Sequence, residues 1–205
     1  MIEIIENAAQ VLVTGVCLVL SFVRFFRQRD EAWTCLCAFY GCTFFAICYW
    51  LGYLIVFGGT PRFFYVSEMG WAASYLLILV LVATLDGQRA PEPPVAAAWV
   101  PIIIVIPQFV LYVTHGDIVL NVIDCSLMAA IGFFTVRGIL TPYTEGLAGN
   151  RAFHVSVFIW GLLQLTVWTA SCFSTPVFSM LYTVSDFLLT VSYAGILVCA
   201  WRVRP

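Results

Sequence analysis

Lysine is absent from this chain of 205 residues, and charged side chains of any kind are scarce. Only 10% of the residues are charged, 62% are apolar, and the mean hydropathy is +1.00. Soluble domains carry about 25% charged residues, so this composition excludes a soluble globular protein. The missing lysine also excludes a retinal protein, since retinal needs a lysine amine for its Schiff base. We predict an integral membrane protein whose main partner is the lipid bilayer, and no nucleic-acid partner is expected.

Residues that would support catalysis or bind a cofactor are missing from the usual spacings. The two histidines, His115 and His154, are predicted at opposite ends of membrane spans, which argues against bis-histidine haem ligation. The eight cysteines are scattered through apolar segments without a CxxC pair, as is typical of small packing residues. No GxSxG, HExxH or glycine-rich phosphate motif occurs. We therefore expect no enzymatic activity, no metal and no cofactor.

Seven apolar stretches are long enough to cross a bilayer, whose hydrocarbon core of about 30 Å requires about 20 helical residues. We predict an all-α, polytopic membrane protein that forms a single domain over residues 1–205. The predicted spans are 8–26, 33–57, 63–85, 96–114, 118–140, 153–173 and 177–201.

Arginine alone carries the positive-inside signal. Eight of the nine arginines fall on one predicted side: Arg24, Arg27, Arg29, Arg89, Arg137, Arg151, Arg202 and Arg204. Only Arg62 falls on the other side. This asymmetry predicts an outer N-terminus and a cytoplasmic C-terminus in a bacterial inner membrane. The first residues, MIEIIEN, are acidic rather than basic, so we expect the first helix to be retained rather than cleaved as a signal peptide.

The third and seventh spans share a pattern of polar residues at a constant offset of 118. Ser67, Ser74 and Tyr75 recur as Ser185, Ser192 and Tyr193, Asp186 matches Glu68, and Trp168 matches Trp50. The pattern predicts a 3+1+3 architecture with two parallel repeats, at about 8–86 and 118–201, joined by a linker helix at about 96–114. Pro101 and Pro107 are expected to bend that linker helix.

Acidic residues inside apolar helices are costly and therefore informative. Glu68 and Tyr75 are seven residues apart, as are Asp186 and Tyr193, so each acid shares a helix face with a tyrosine. Asp124 follows Asn121 by three residues in the fifth span. These acids are predicted in the outer half of the membrane, where the sequence offers no basic partner. Each must then be protonated, hydrogen-bonded, hydrated or paired with a bound cation.

Two interpretations of these residues remain open. The first is an outward-opening pocket for a small, possibly cationic ligand or for protons, with Trp50 and Trp168 as walls. Its candidate ligand-binding residues are Asp186, Asp124, Glu68, Tyr193, Tyr75, Trp50, Trp168, Ser192, Ser74 and Asn121. The second is a set of hydrogen bonds that only pack the helices together.

The predicted 3+1+3 plan resembles the SWEET sugar transporters and their PQ-loop relatives, and Pro107 and Gln108 form a Pro-Gln pair. This resemblance, which is architectural, implies a small-solute or proton-coupled transporter. The prolines that those families carry in the helices of each triplet are absent from helices one, two, five and six here.

The chain also resembles the seven- or eight-helix N-terminal modules of bacterial histidine kinases and diguanylate cyclases. The resemblance is carried by Thr60, Pro61, Ser67, Glu68 and Tyr75, and by their second copy Thr175, Pro176, Ser185, Asp186 and Tyr193. It implies a receptor or sensor module. Because the sequence ends four residues after Trp201, we expect either that it is an excised membrane module of a longer signalling protein or that it signals through a separate cytoplasmic partner. A homodimer and a structural subunit of a membrane complex are further possibilities.

Overall fold

A computed structural model describes residues 2–61, 65–87, 96–140 and 148–203. Within these ranges the protein is all-α, and no β-strand occurs. The seven α-helices are α1 (Ile2–Gln28), α2 (Glu31–Phe57), α3 (Tyr65–Gly87), α4 (Val100–Val113), α5 (Ile118–Leu140), α6 (Ala148–Ser171) and α7 (Pro176–Ala200), and a short 3-10 helix, Ala96–Trp99, precedes α4. The prediction of seven spans is confirmed among the described residues. The largest difference is at α1, which begins six residues earlier than predicted.

Residues at the helix ends explain where several helices begin and stop. Asp30 caps α2 by accepting a hydrogen bond from the Ala32 N–H at 3.2 Å, and Gly58 ends α2 in the left-handed conformation at φ 67°. Thr175 precedes Pro176 at the start of α7, where proline's fixed φ and missing N–H are tolerated. Capping residues and proline thus define the breaks between spans.

The first compact unit comprises residues 1–78 and contains α1, α2 and the first part of α3. α1 and α2 pack against one another across a two-residue connection. Gly70 of α3 lies against α2, because a Cβ at this position would be 2.9 Å from the Cβ of Ala46 and 3.2 Å from the carbonyl oxygen of Cys42. A larger residue at Gly70 would push α3 away from α2.

The second compact unit comprises residues 79–205, in which α4 packs on α5, α5 on α6, and α6 on α7. Two glycines of α5 allow close approach. A Cβ at Gly132 would be 2.5 Å from the Cβ of Pro101 on α4, and a Cβ at Gly138 would overlap the imidazole ring of His154 on α6. Pro101 lies in the first turn of α4 and Pro107 lies inside this helix.

Apolar side chains cover the outside of the helices. Leu12, Phe45, Ile103 and Val191 are between 64% and 69% exposed, while several polar side chains within the spans, such as Thr14, Ser67 and Asp186, are buried. This reversal of the soluble pattern is expected when lipid rather than water surrounds the protein. With seven described helices long and apolar enough to cross a bilayer, the chain is a multi-pass membrane protein.

Candidate ligand site

Helices α4 and α6 are joined by hydrogen bonds near the C-terminal end of α4. Tyr112, in the last turn of α4, is buried. Its hydroxyl donates to the carbonyl oxygen of Leu165 at 3.1 Å and lies 2.7 Å from Oγ1 of Thr169, both on α6. Gln108, one turn earlier on α4, donates from Nε2 to the same threonine oxygen at 3.5 Å. Two side chains of α4 therefore converge on one threonine of α6.

Helix α5 and a tryptophan of α6 complete this group. The Asn121 amide on α5 donates to the carbonyl oxygen of Tyr112 at 2.9 Å. The Trp168 ring meets the Tyr112 ring edge to face, with centroids 6.1 Å apart and an interplanar angle of 87°. The residues Gln108, Tyr112, Asn121, Trp168 and Thr169 are called the Tyr112 cluster below.

The turn between α4 and α5 explains why Asn121 is in place. The last carbonyl groups of a helix lack N–H partners within the helix, and the carbonyl of Tyr112 accepts from the N–H groups of His115 at 2.9 Å and Gly116 at 3.1 Å as well as from the Asn121 amide. At the start of α5 the Asp117 carboxylate accepts hydrogen bonds from the N–H groups of Val119 at 2.9 Å and Leu120 at 3.1 Å. Backbone N–H groups and the Asn121 side chain thus satisfy the end of α4, and the Asp117 side chain caps the start of α5.

The side-chain oxygen of Gln108 in the Tyr112 cluster can accept a further hydrogen bond. The side-chain oxygen Oε1 of Gln108 is buried and accepts no hydrogen bond within the described part of the chain. Burying an amide oxygen without a donor is costly, and the cost rises in an apolar membrane interior. This oxygen is a ready acceptor for the N–H or O–H group of a small molecule.

Asp124 lies one helical turn beyond Asn121 on α5 and is half-buried. It shares a helix face with Met128, Ile131 and Thr135, which are all buried. Its carboxyl group therefore belongs to the inward face of α5 rather than to the lipid-facing side.

Asp186 and Tyr193 lie on one buried face of α7, at 7% and 4% exposure. The Tyr193 ring is 6.4 Å from the ring of Trp160 on α6, its hydroxyl interacts with the Trp160 indole, and it lies in the electrostatic field of Asp186. Ser192 is half-buried and donates to the carbonyl oxygen of Leu189 at 2.6 Å, so its hydroxyl is satisfied within α7. Asp186, Tyr193 and Trp160 thus form a group between α6 and α7.

This α6–α7 group and the Tyr112 cluster follow one another along α6. Trp160 precedes Leu165 by five residues and Thr169 by nine, a rise of about 7 to 13 Å. The Tyr112 cluster is nearer the end of α6, whereas Trp160 and Tyr193 are deeper in the span. One helix therefore connects the two groups.

The remaining predicted site residues belong to the first unit. Ser74 and Tyr75 of α3 are buried at 1% and 2% exposure, and Glu68 is half-buried. The Trp50 ring of α2 lies 5.7 Å from the ring of Trp71 on α3. The matched tryptophans of the predicted repeat therefore have different aromatic partners, one on the third helix and one on the fourth.

Helix α1 buries a polar face that the sequence reasoning missed. Glu6, Gln10, Thr14, Cys17 and Ser21 recur every three or four residues, and each is at most 7% exposed. The Thr14 hydroxyl donates to the carbonyl oxygen of Gln10 at 2.6 Å, and the Cys17 thiol interacts with Tyr40 of α2. The helical spacing of these polar residues was the signal available in the sequence.

Gln108, Tyr112 and Thr169 are also residues that the list of predicted site residues did not include. The spacing of Gln108 and Tyr112 at i and i+4 places both on one face of α4, which is a usable signal. Of the predicted residues, the structure brings Asn121 and Trp168 together at the Tyr112 cluster, and Asp186 and Tyr193 together on α7.

Within the described ranges, no group of three or more histidine, cysteine, aspartate or glutamate side chains is arranged to hold a metal ion. The eight cysteines are free thiols. The site therefore offers hydrogen bonds, aromatic faces and carboxyl groups. Comparison of the chain with protein-family models, with curated proteins and with solved structures gives no match.

Proposed function

We propose that this protein is a membrane receptor or sensor module that binds a small ligand at the Tyr112 cluster and signals to a cytoplasmic domain or partner. The observation that carries the proposal is the convergence of three helices on Thr169 and Tyr112, with the buried Gln108 oxygen able to accept one more hydrogen bond. A site shared by three helices is suited to a receptor because its occupant can change how those helices pack.

The chemistry of the cluster favours a ligand that carries an amine or another positively charged hydrogen-bond donor. Aromatic faces at Tyr112 and Trp168 attract cations through their quadrupoles. Asp124, one turn away on α5, supplies an acidic group inside an apolar helix. Gln108 adds a neutral acceptor. Together these groups match an organic ammonium compound better than an anion.

The distribution of arginine supports an external position for the site. Arg137 on α5, Arg151 on α6 and Arg202 after α7 all lie at the ends of their helices opposite the Tyr112 cluster. If these arginines are cytoplasmic, as the positive-inside rule favours, the cluster faces the outside of a bacterial inner membrane. A ligand would then reach it without crossing the bilayer.

The burial of matched residues supports the internal repeat. Ser67 and Ser185 are both buried, as are Tyr75 and Tyr193, and Ile78 and Ile196 are both fully buried. The two copies differ in that Trp168 of the second copy contacts the linker helix α4 through Tyr112. The ligand site is therefore assigned to the second copy together with the linker helix.

A route from the site to the cytoplasm follows from the packing of α6. This helix contributes Thr169 and Trp168 to the Tyr112 cluster, and deeper in the span its Trp160 packs against Tyr193 of α7. α7 ends at Ala200. A ligand that favours one packing of α4 on α6 would shift α7 and the segment that follows it.

Ligand-induced thermal stabilisation tests this proposal. The full chain, purified in a mild detergent, is screened against polyamines, amino acids, quaternary ammonium compounds and neutral sugars. A compound from a cationic class is expected to raise the melting temperature of the unsubstituted protein, and Asp124→Asn and Asp186→Asn are expected to reduce that rise. An unchanged rise in both variants for every stabilising compound would contradict the assignment of the site.

The alternative, a small-solute or cation and proton-coupled transporter, is favoured by the buried polar face of α1. From Glu6 to Ser21 this face covers sixteen residues, a rise of about 22 Å within a bilayer core of about 30 Å. Solute uptake into proteoliposomes that depends on pH, and that is lost in Glu6→Gln or Asp186→Asn, would support the transporter over the receptor. Absence of uptake for compounds that stabilise the protein would favour the receptor.

A further inference from the structure

A cavity of about 370 Å³ lies between α4, α5 and α6 at the end of these helices opposite the Tyr112 cluster. Its walls include Pro101 and Ile104 of α4, Val136 of α5, and Gly161 of α6. Among the described residues that line it, Thr135 is the one with a polar side chain, and its hydroxyl donates to the carbonyl oxygen of Ile131 at 2.7 Å. These described residues therefore offer an apolar surface, and the cavity volume lies within the range of about 300 to 1,000 Å³ for ligand sites.

The empty volume of this cavity lies beside Gly161 on α6. Gly161 is buried, yet a Cβ added to it would meet no atom within 4 Å. Buried positions in a close-packed protein normally contact neighbours on every side. Gly132, which also lines the cavity, has no such space beside it, since a Cβ at this position would be 2.5 Å from the Cβ of Pro101. The open volume thus lies next to Gly161 on α6.

The cavity opens sideways, toward the surface that faces lipid. The rim residues Ile104, Leu140 and Leu162 are 45%, 45% and 43% exposed. Along α5 the lining runs from Met128 to Leu140, a rise of about 18 Å. One leaflet of a bilayer core of about 30 Å has a depth of about 15 Å. The length and direction of the groove match an extended hydrocarbon chain in one leaflet.

An arginine lies on α6 beyond the residues that line the groove, toward the end where the lipid headgroups would be. Arg151 is exposed in the first turn of α6 and precedes Phe158, a lining residue, by seven positions, so both are on one helix face. Near this end Trp99 is 50% exposed and packs on Phe133 with ring centroids 5.0 Å apart. Exposed tryptophan is typical of the membrane interface. An anionic headgroup would meet Arg151 there.

We propose that this groove binds one acyl chain of an anionic glycerophospholipid, whose phosphate is held by Arg151. The apolar lining, the open space at Gly161, the length of one leaflet and the charge at the interfacial end all point to this occupant. The groove meets the Tyr112 cluster at Leu165, which lines the groove and whose carbonyl oxygen accepts from Tyr112, but the lipid proposal does not depend on the function proposed for that cluster.

Native mass spectrometry of the full chain tests the proposal, with dioleoyl phosphatidylglycerol as the anionic probe and dioleoyl phosphatidylcholine as the zwitterionic one. The delipidated protein is expected to retain one phosphatidylglycerol more tightly than phosphatidylcholine. Gly161→Leu fills the groove and is expected to weaken retention by about tenfold or more, the equivalent of about two displaced methylene groups. Arg151→Gln is expected to abolish the preference between headgroups.

Gly195→Leu is the matched control, because a Cβ at Gly195 of α7 also meets no atom within 4 Å and this residue does not line the groove. It should retain phosphatidylglycerol as the unsubstituted protein does. If Gly161→Leu does not yield folded protein, Val136→Phe fills the groove from α5. Equal retention in the groove-filling variant and in Gly195→Leu would overturn the proposal. So would loss of a protein dimer in the groove-filling variant, since a second copy would then be the occupant.

Discussion

Helices α4, α5 and α6 contact one another at both of their ends, and the two ends use different chemistry. At the Tyr112 cluster the helices are joined by side-chain hydrogen bonds to Leu165, Thr169 and the end of α4. At the other end they approach through glycine, with Gly132 against Pro101 and Gly138 against His154, and they leave an apolar groove. The same three helices are thus joined by side-chain hydrogen bonds at one end and by close glycine contacts at the other.

This difference shows how helices hold together without a hydrophobic driving force between them. Lipid tails are as apolar as leucine, so apolar contacts alone gain little, and close packing or hydrogen bonds must supply the attraction. The Pro101 end relies on close approach. The Tyr112 end relies on polar contacts, which the ligand that we propose could exchange for contacts of its own.

The largest effect is expected at the glycine contact between α5 and α6. In Gly138→Ala the new methyl group overlaps the His154 ring, and overpacking of this kind costs about 1 to 3 kcal/mol. At about 2 to 4 °C per kcal/mol, the melting temperature in detergent should fall by several degrees.

Gly161→Ala is the control for that variant, since its new methyl group meets open space. Alanine favours helix over glycine by about 1 kcal/mol, so this variant is expected to melt at the same or a higher temperature. Equal destabilisation by both substitutions would show that the close contact with His154 does not contribute to stability.

The second effect concerns the hydrogen bonds of Tyr112. Tyr112→Phe keeps the ring against Trp168 but removes the hydroxyl that binds Leu165 and Thr169. Interhelical hydrogen bonds in membranes contribute about 0.6 kcal/mol on average and at most about 1.7 kcal/mol. The melting temperature should therefore fall by less than in Gly138→Ala. If Tyr112→Phe lowered the melting temperature as much as Gly138→Ala does, the expectation that the glycine contacts contribute more to stability than the Tyr112 hydrogen bonds would be wrong.

The smallest effect on stability is expected for Asp124→Asn. Asparagine has nearly the same shape, and it removes only the ability of this half-buried group to carry a negative charge. The variant should keep the melting temperature of the unsubstituted protein without ligand, while stabilisation by a cationic ligand decreases. A thermal scan with and without the ligand separates these two quantities.

Sequence reasoning predicted the spans well because a run of about 20 apolar residues is a strong signal in a membrane chain. It missed Glu6 for a specific reason. The first span was predicted to begin at residue 8, but α1 begins at Ile2, so Glu6 lies inside the helix and is 3% exposed. A boundary error of six residues removed a buried acid from consideration.

The Tyr112 cluster was predicted only in part. Of its members, Asn121 could be selected from its polarity and Trp168 from the predicted repeat. Tyr112 and Gln108 could not be selected from the repeat, since the linker helix has no counterpart in it. Which helix Trp168 meets is decided by tertiary packing, because its match Trp50 packs on Trp71 instead. At the positions matched by the predicted repeat, burial is therefore more alike than contact partners are.

The most direct test of the ligand site compares two threonines of α6. Thr169 and Thr166 each donate to the carbonyl oxygen four residues earlier at 2.7 Å, but only Thr169 lies within the Tyr112 cluster. Isothermal titration with the strongest stabilising amine measures its affinity for Thr169→Val and Thr166→Val. We predict that the affinity for the amine is about tenfold weaker in Thr169→Val, as expected for loss of a part-buried polar contact, and unchanged in Thr166→Val. Equal affinity in the two variants would contradict it.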